Sequence, residues 1–164
     1  MKTVQLKTNN KGFTLIELLV VITIIAALAV TVFVALNPSQ RLSNARDARR
    51  TSDVDTILTA LHEYIVDNKG SYPPGLSAGM PEVQLGTSTS GCALAVGACS
   101  TGGAACVDIG TSSAKYLKSV PIDPLGTPTY TSAKTGYDVQ IDTNGLVTVK
   151  ACATEGSSSI QSSR

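Results

Sequence analysis

The hydrophobic and polar positions divide the chain into stretches of different character. From Phe13 to Leu36 (FTLIELLVVITIIAALAVTVFVAL), 24 residues carry one charge, Glu17. At 1.5 Å per residue a helix over that run is roughly 36 Å long, enough to cross a bilayer core of about 30 Å. Pro38 lacks an amide hydrogen and crowds the turn before it, so the helix should be disturbed there. A kink is expected rather than a stop, because a helical pattern resumes at once. Within Ser39–Asn68, Val54, Ile57, Leu58, Leu61 and Ile65 recur at spacings of three and four, which is one apolar stripe on an amphipathic helix. Arg49, Asp53, Thr56, Glu63 and Asp67 fall on the opposite face. Lys69-Gly70-Ser71-Tyr72-Pro73-Pro74 ends the pattern: glycine supplies a left-handed cap and the prolines forbid continuation.

Beyond that helix the periodicity changes. Residues 71–110 are rich in Gly, Ser, Thr and Ala and read as loop. Ala114–Val120 is expected to hold a short helical turn, and Pro121-Ile122-Asp123-Pro124-Leu125-Gly126 a fixed turn. Tyr137–Ile141 and Leu146–Ala151 alternate as strands do, and the Asp142-Thr143-Asn144-Gly145 turn between them marks a hairpin. A weaker strand is expected at Thr129–Thr131, and Ser157–Arg164 reads as a frayed tail. The fold class is α+β: one long N-terminal helix and a small antiparallel sheet.

Composition narrows the function classes. The 164 residues carry 13 Lys+Arg against 12 Asp+Glu, a net charge of +1 that gives no support to a nucleic-acid-binding surface. Aromatic residues are 4% of the chain, so a core must rest on Ala, Val, Leu and Ile. A single histidine, His62, argues against His-rich metal sites and His-based catalysis. It has no Ser/Asp or Cys partner implied by spacing and reads as a surface or packing residue. Phosphate loops and paired acid/base motifs are not evident, and no enzyme is expected.

The mean hydropathy of +0.17 is set by the apolar run. Before it stands a polar leader, Met1–Gly12, with Lys2, Lys7 and Lys11 and no acid. A secretory signal peptide has a shorter apolar region and a small-residue cleavage site, which Ala35-Leu36-Asn37-Pro38 matches poorly. A plain membrane anchor accounts for the length but leaves Glu17 unexplained, since a carboxylate in hydrocarbon is costly unless paired or protonated.

Residues 11–17, Lys-Gly-Phe-Thr-Leu-Ile-Glu, combine that basic leader with a Gly-Phe junction, a glutamate at fixed offset and a long apolar run. This resembles the processing site of type IV pilins and of the pseudopilins of type II secretion. The resemblance is close over residues 11–36 and holds in outline to Asn68. It implies that a prepilin peptidase cuts between Gly12 and Phe13 and methylates the new Phe13 amine. It also implies that Glu17 is the family's intramembrane glutamate. In a helical fibre the Phe13 amine of one subunit is then expected to meet Glu17 of a neighbour, since opposite charges in a low dielectric offset desolvation that neither escapes alone. The stretch 116–139, YLKSVPIDPLGTPTYTSAKTGYDV, resembles the region before the sheet in major pseudopilins and short pilins. It has Leu125 where the pseudopilin pattern usually shows tryptophan.

The remaining constellations are weighed against plainer readings. Cys92, Cys99, Cys106 and Cys152 are an even set in a domain expected outside the cytoplasm, so disulfides are the default. The four allow three pairings; the preferred one is Cys92–Cys99 with Cys106–Cys152. A zinc site is the rival, but structural zinc prefers closer cysteine pairs. Asp123, Asp138 and Asp142 invite a calcium reading, because major pseudopilins bind calcium near their sheet. Asp123 and Asp142 are, however, normal turn residues, and there is no EF-hand spacing. No metal or cofactor is expected, with Asp138 and Asp142 left as weak calcium candidates. Arg41, Arg46, Arg49 and Arg50, with Asp47 among them, are expected to form a solvated or inter-subunit helix face rather than a DNA or lipid contact.

The expected organisation is a leader at 1–12, a transmembrane and filament-core helix at 13–36, an amphipathic half at 37–68 and a globular head at 69–164. The expected function is that of a structural subunit of a type IV pilus-like filament, serving adhesion, motility or DNA uptake. A major pseudopilin of a type II secretion system is the alternative, and a monomeric membrane-anchored extracytoplasmic binding domain the second. Implied partners are copies of the chain itself, prepilin peptidase, the assembly machinery and the cytoplasmic membrane. Lys2, Lys7 and Lys11 favour an inside N-terminus, but Arg41, Arg46, Arg49 and Arg50 beyond the apolar run leave loop counting ambiguous; the topology that the family resemblance implies puts the leader inside before assembly. The final location is then an extracellular pilus or a periplasmic pseudopilus. Three of the cations lie in the leader, so the mature chain is slightly acidic.

Overall fold

The computed structural model describes residues 12–103, 105–156 and 159–164. Of the expected leader, residues 1–11 lie outside the described residues. The chain divides into two units, Met1–Arg41 and Leu42–Arg164.

In the first unit, helix α1 runs Leu15–Leu36 with every residue exposed. Its end is set by Asn37, which adopts the left-handed conformation (φ 39°, ψ 73°). Helix α2, Pro38–Asp67, starts at the next residue. The expected disturbance at Pro38 is therefore a break at Asn37, with the proline opening the second helix. In that position its missing N–H is no loss and its φ is already helical. The Arg41 Nε–H donates to the Leu36 carbonyl at 2.9 Å, satisfying one of the acceptors that the helix end leaves open.

In the second unit, Val54, Ile57, Leu58 and Leu61 of α2 are buried as the stripe predicts, and Ile65 packs against the same cluster. They meet one face of a four-stranded antiparallel sheet of order β1-β4-β5-β6, where β1 is Met80–Gln84, β4 Tyr137–Ile141, β5 Val147–Ala151 and β6 Ile160–Ser163. Alternation sends Tyr137, Val139, Ile141, Val147, Val149 and Ala151 into the core. The Tyr137 hydroxyl donates to Asp53 Oδ2 on α2 at 2.7 Å. The central hairpin pairs Tyr137 with Ala151 and Ile141 with Val147, as the Asn-Gly turn predicts. A second hairpin, β2 (Leu94–Val96) and β3 (Cys99–Thr101), pairs Val96 with Cys99. In the 113–117 region the Ser113 carbonyl accepts from the Tyr116 and Leu117 N–H groups, one turn of the kind expected.

Three local expectations are corrected. The stretch 71–110 is not loop throughout: it holds β1 and the β2–β3 hairpin. Thr129–Thr131 is no strand; Thr131 and Lys134 bond to each other across a tight turn. The tail is not frayed at its end, since β6 pairs with β5 and sets Ile160 opposite Ala151 with both side chains in the core.

The arginine face is corrected too. Arg49 is exposed, but Arg50 is wholly buried. Its Nε and Nη2 fork onto Asp123 Oδ2 and Oδ1 at 2.7 and 2.9 Å, and its Nη1 donates to Asp47 Oδ1 at 2.7 Å. Asp47 also accepts from the backbone N–H groups of Glu155 and Gly156. Arg46 forks onto Glu155 and holds its carboxyl below the usual range through that hydrogen bond. Three side chains of α2, Arg46, Asp47 and Arg50, thus hold the 121–126 turn and the loop after β5. Asp123 keeps the turn role expected of it as well, accepting from the Leu125 N–H at 2.9 Å.

Candidate processing and assembly site

Gly12, Phe13 and Thr14 precede α1 outside any regular element, and all three are exposed. A side chain added at Gly12 would meet nothing within 4 Å, so the Gly12–Phe13 bond stands clear of the other described residues. Phe13 is 90% exposed. Thr14 is the N-cap of α1, with extended backbone at φ −80° and ψ 153°. Its Oγ1 accepts from the Glu17 N–H at 3.3 Å, and its own N–H and hydroxyl each donate to Glu17 Oε2 at 2.8 Å. This is a capping box, in which a Thr and a Glu three residues on satisfy each other's backbone donors.

The box changes the picture of Glu17. Lipid offers it no partner, but its own chain supplies two donors and so fixes where the carboxylate sits. Those hydrogen bonds leave its charge uncompensated. The sequence signal for this cap is the Thr14-x-x-Glu17 spacing, which the reading of Glu17 as an isolated charge does not use. The rest of α1 is uncharged, its two threonine hydroxyls donating to carbonyls of the same helix, and it is long and apolar enough to cross a membrane by length and composition. Its large side chains face outward all round. A helix with that surface requires an apolar surrounding, either lipid or other helices.

Residues 7–33 match the family model described as the prokaryotic N-terminal methylation motif. The chain carries the prepilin signature of type IV pilins and pseudopilins. No curated protein and no solved structure matches the chain. The match spans the Gly12–Phe13 junction, Glu17 and most of the apolar run. It supports a type IV pilin-like or pseudopilin protein, a structural subunit anchored in a membrane before assembly. The long N-terminal helix followed by a small antiparallel sheet is the matching α+β architecture.

The cysteines pair differently from the preferred expectation. Cys92 joins Cys106 and Cys99 joins Cys152. The β2–β3 hairpin explains why. Cys99 pairs with Val96 at the turn end, whereas the Thr101 hydroxyl, at the open end, donates to the Cys92 carbonyl at 3.1 Å. Three to four residues at about 3.3 Å each separate the two cysteines along the hairpin, beyond the roughly 7 Å between Cα atoms that a disulfide tolerates. Gly97, in the turn at φ 61°, lies so close to the Cys152 carbonyl that a side chain there would collide with it.

Asp142 and Asp138, the weak calcium candidates, do not come together as a site. Asp142 Oδ1 accepts from the N–H groups of Asn144 and Leu146, both at 2.8 Å, so it caps its own hairpin. The Leu146 bond is the main reason its carboxyl lies below the ordinary range. Asp138 is wholly buried on the other side of the sheet from Tyr137. Its carboxylate lies within 4.8 Å of the Cys99 and Cys152 sulfurs. Those sulfurs are bonded to each other, so they offer no thiolate to a metal. His62 Nε2 lies 3.0 Å from the Arg164 carbonyl, a packing role at the end of β6.

Proposed function

We propose that the chain is a structural subunit of a type IV pilus-like filament, cut by prepilin peptidase between Gly12 and Phe13 and polymerised through α1. The observation that carries this reading is the clear Gly12–Phe13 junction directly ahead of a capped, fully exposed apolar helix containing one carboxylate. Before cleavage that helix is a membrane anchor with the leader inside. After cleavage, the Phe13 amine of one subunit meets Glu17 of the next, and the low dielectric makes each the other's best partner. The filament serves adhesion, motility or DNA uptake.

Glu17→Ala and Glu17→Gln test it. Both variants are expected to be cut and to insert in the membrane as wild type does, since the cut site is untouched and a charge is removed from lipid. Filament yield after shearing is expected to collapse, while the membrane pool is kept. Wild-type filament yield from both variants would refute assembly through this carboxylate.

A further inference from the structure

On the sheet face opposite α2 lies a buried acidic cluster that neither processing nor assembly uses. Asp138 on β4 is fully buried, and when it is ionised neither carboxylate oxygen has a hydrogen-bond donor among the described residues. Its neighbours in register are Gln84 on β1 and Lys150 on β5. Glu82 on β1 accepts from Lys150 Nζ at 3.2 Å and from the Ser100 N–H of β3 at 3.4 Å, while its Oε1 is left without a donor. Above this cluster sits the Cys99–Cys152 bridge, with Cys99 3% and Cys152 0% exposed. Among the described residues, the charged groups facing Asp138 are thus Glu82 and Lys150; β3 contributes the bridge and the Ser100 N–H, and no charge.

Closing a disulfide requires a thiolate, and a thiol buried in apolar surroundings holds its proton. Among the described residues, the carboxylate set against both sulfurs is that of Asp138, and it can accept a proton. We propose that Asp138 is the proton acceptor for closure of the Cys99–Cys152 bridge. Cys99, on the β2–β3 hairpin, first exchanges as its thiolate with a small disulfide such as oxidised glutathione, releasing one glutathione thiolate and carrying a mixed disulfide. As the hairpin docks, Asp138 takes the proton of the Cys152 thiol. The Cys152 sulfur attacks the Cys99 sulfur, the bond from Cys99 to the glutathione sulfur breaks, and glutathione leaves as its thiolate. The donor disulfide accepts the two electrons, and the proton remains on Asp138.

The finished structure suits that end state. Burial first, and then the charge of Glu82, push the Asp138 carboxyl up to about 7, with Lys150 opposing. A protonated Asp138 also supplies the donor that two facing carboxylates otherwise lack.

The test is oxidative refolding of the reduced full chain in detergent micelles with reduced and oxidised glutathione, quenched by alkylation and mapped by mass spectrometry. The Cys92–Cys106 bridge is the internal control. Asp138→Asn keeps the shape and removes the base. At pH 7 closure of Cys99–Cys152 is expected to slow at least about tenfold, with Cys92–Cys106 unchanged, and its rate should follow thiol ionisation alone. Equal slowing of neither or both bridges would overturn the proposal. Should the Asn variant close no bridge at all, Glu82→Gln decides. Removing that neighbouring charge is expected to move the pH midpoint of Cys99–Cys152 closure downward, and an unmoved midpoint would overturn the proposal.

Discussion

Replacing Arg50 should unfasten the head from its own helix. The guanidinium is buried without remainder and makes a two-pronged contact with Asp123, whose side chain is also fully buried, and single ones with Asp47 and, at 3.4 Å, with Glu155. In Arg50→Met the stem is roughly kept and the charge is lost. Asp123 retains only the Leu125 N–H at Oδ1, and Asp47 retains the 155–156 backbone donors. Breaking a buried pair from one side costs about 3–5 kcal/mol, because the partner carboxylate stays buried without its counter-charge. For a chain of this size that corresponds to a fall in Tm of about 10 °C or more. Arg50→Lys should recover part of the loss, since an ammonium cannot fork onto a carboxylate. The double variant Arg50→Met, Asp123→Leu should be less damaged than the sum of the two singles, by about 1–3 kcal/mol of coupling. Thermal and urea unfolding of the full chain in micelles, followed by tyrosine absorbance and circular dichroism, supplies the numbers. A loss below about 1 kcal/mol for Arg50→Met would show that the network is not what holds the 121–126 turn.

Three further outcomes are expected. Non-reducing peptide mapping should find Cys92 with Cys106 and Cys99 with Cys152; Cys92 with Cys99 would contradict the hairpin register. Chain-entropy arguments assign the 14- and 53-residue separations about 3 and 4 kcal/mol respectively, so reduction should lower stability more through the second bridge. Asp138 is raised from 3.8 in the unfolded chain to about 7 in the fold, so its burial is least costly below pH 4 and its contribution is lost as pH rises to 7. Between pH 5 and 8 that loss is about 2–3 kcal/mol, and Asp138→Asn should flatten this part of the stability profile. An identical pH dependence in the variant would remove Asp138 from the account.

The legible parts of the fold were those in which a pattern repeats locally. The α2 stripe showed itself through four or five apolar residues at helical spacing, and the β4–β5 hairpin through alternation around Asn144-Gly145. The illegible parts depend on residues far apart in the chain. β1 carries Pro81 and only five residues, and it is a strand because it borrows hydrogen bonds from β4 at the sheet edge. β6 is serine-rich and is held by β5 and by Ile160 alone in the core. Arg50 and Asp123 stand 73 positions apart, and nothing near either one announces the other. The cysteine pairing followed from the β2–β3 register, which a run of Gly, Ser, Thr and Ala does not reveal. At the N-terminus the reverse holds. The junction, the carboxylate and the apolar run are contiguous, so the processing motif could be read directly, and the Thr14 cap added one spacing to it.

The mature N-terminus tests the central claim most directly. Mass spectrometry of the chain isolated from membranes and from sheared surface filaments should find one species beginning at N-methylated Phe13, with Met1–Gly12 absent. A chain that still begins at Met1 in both fractions, or one cut near Asn37, would contradict processing at Gly12–Phe13 and, with it, assembly through α1.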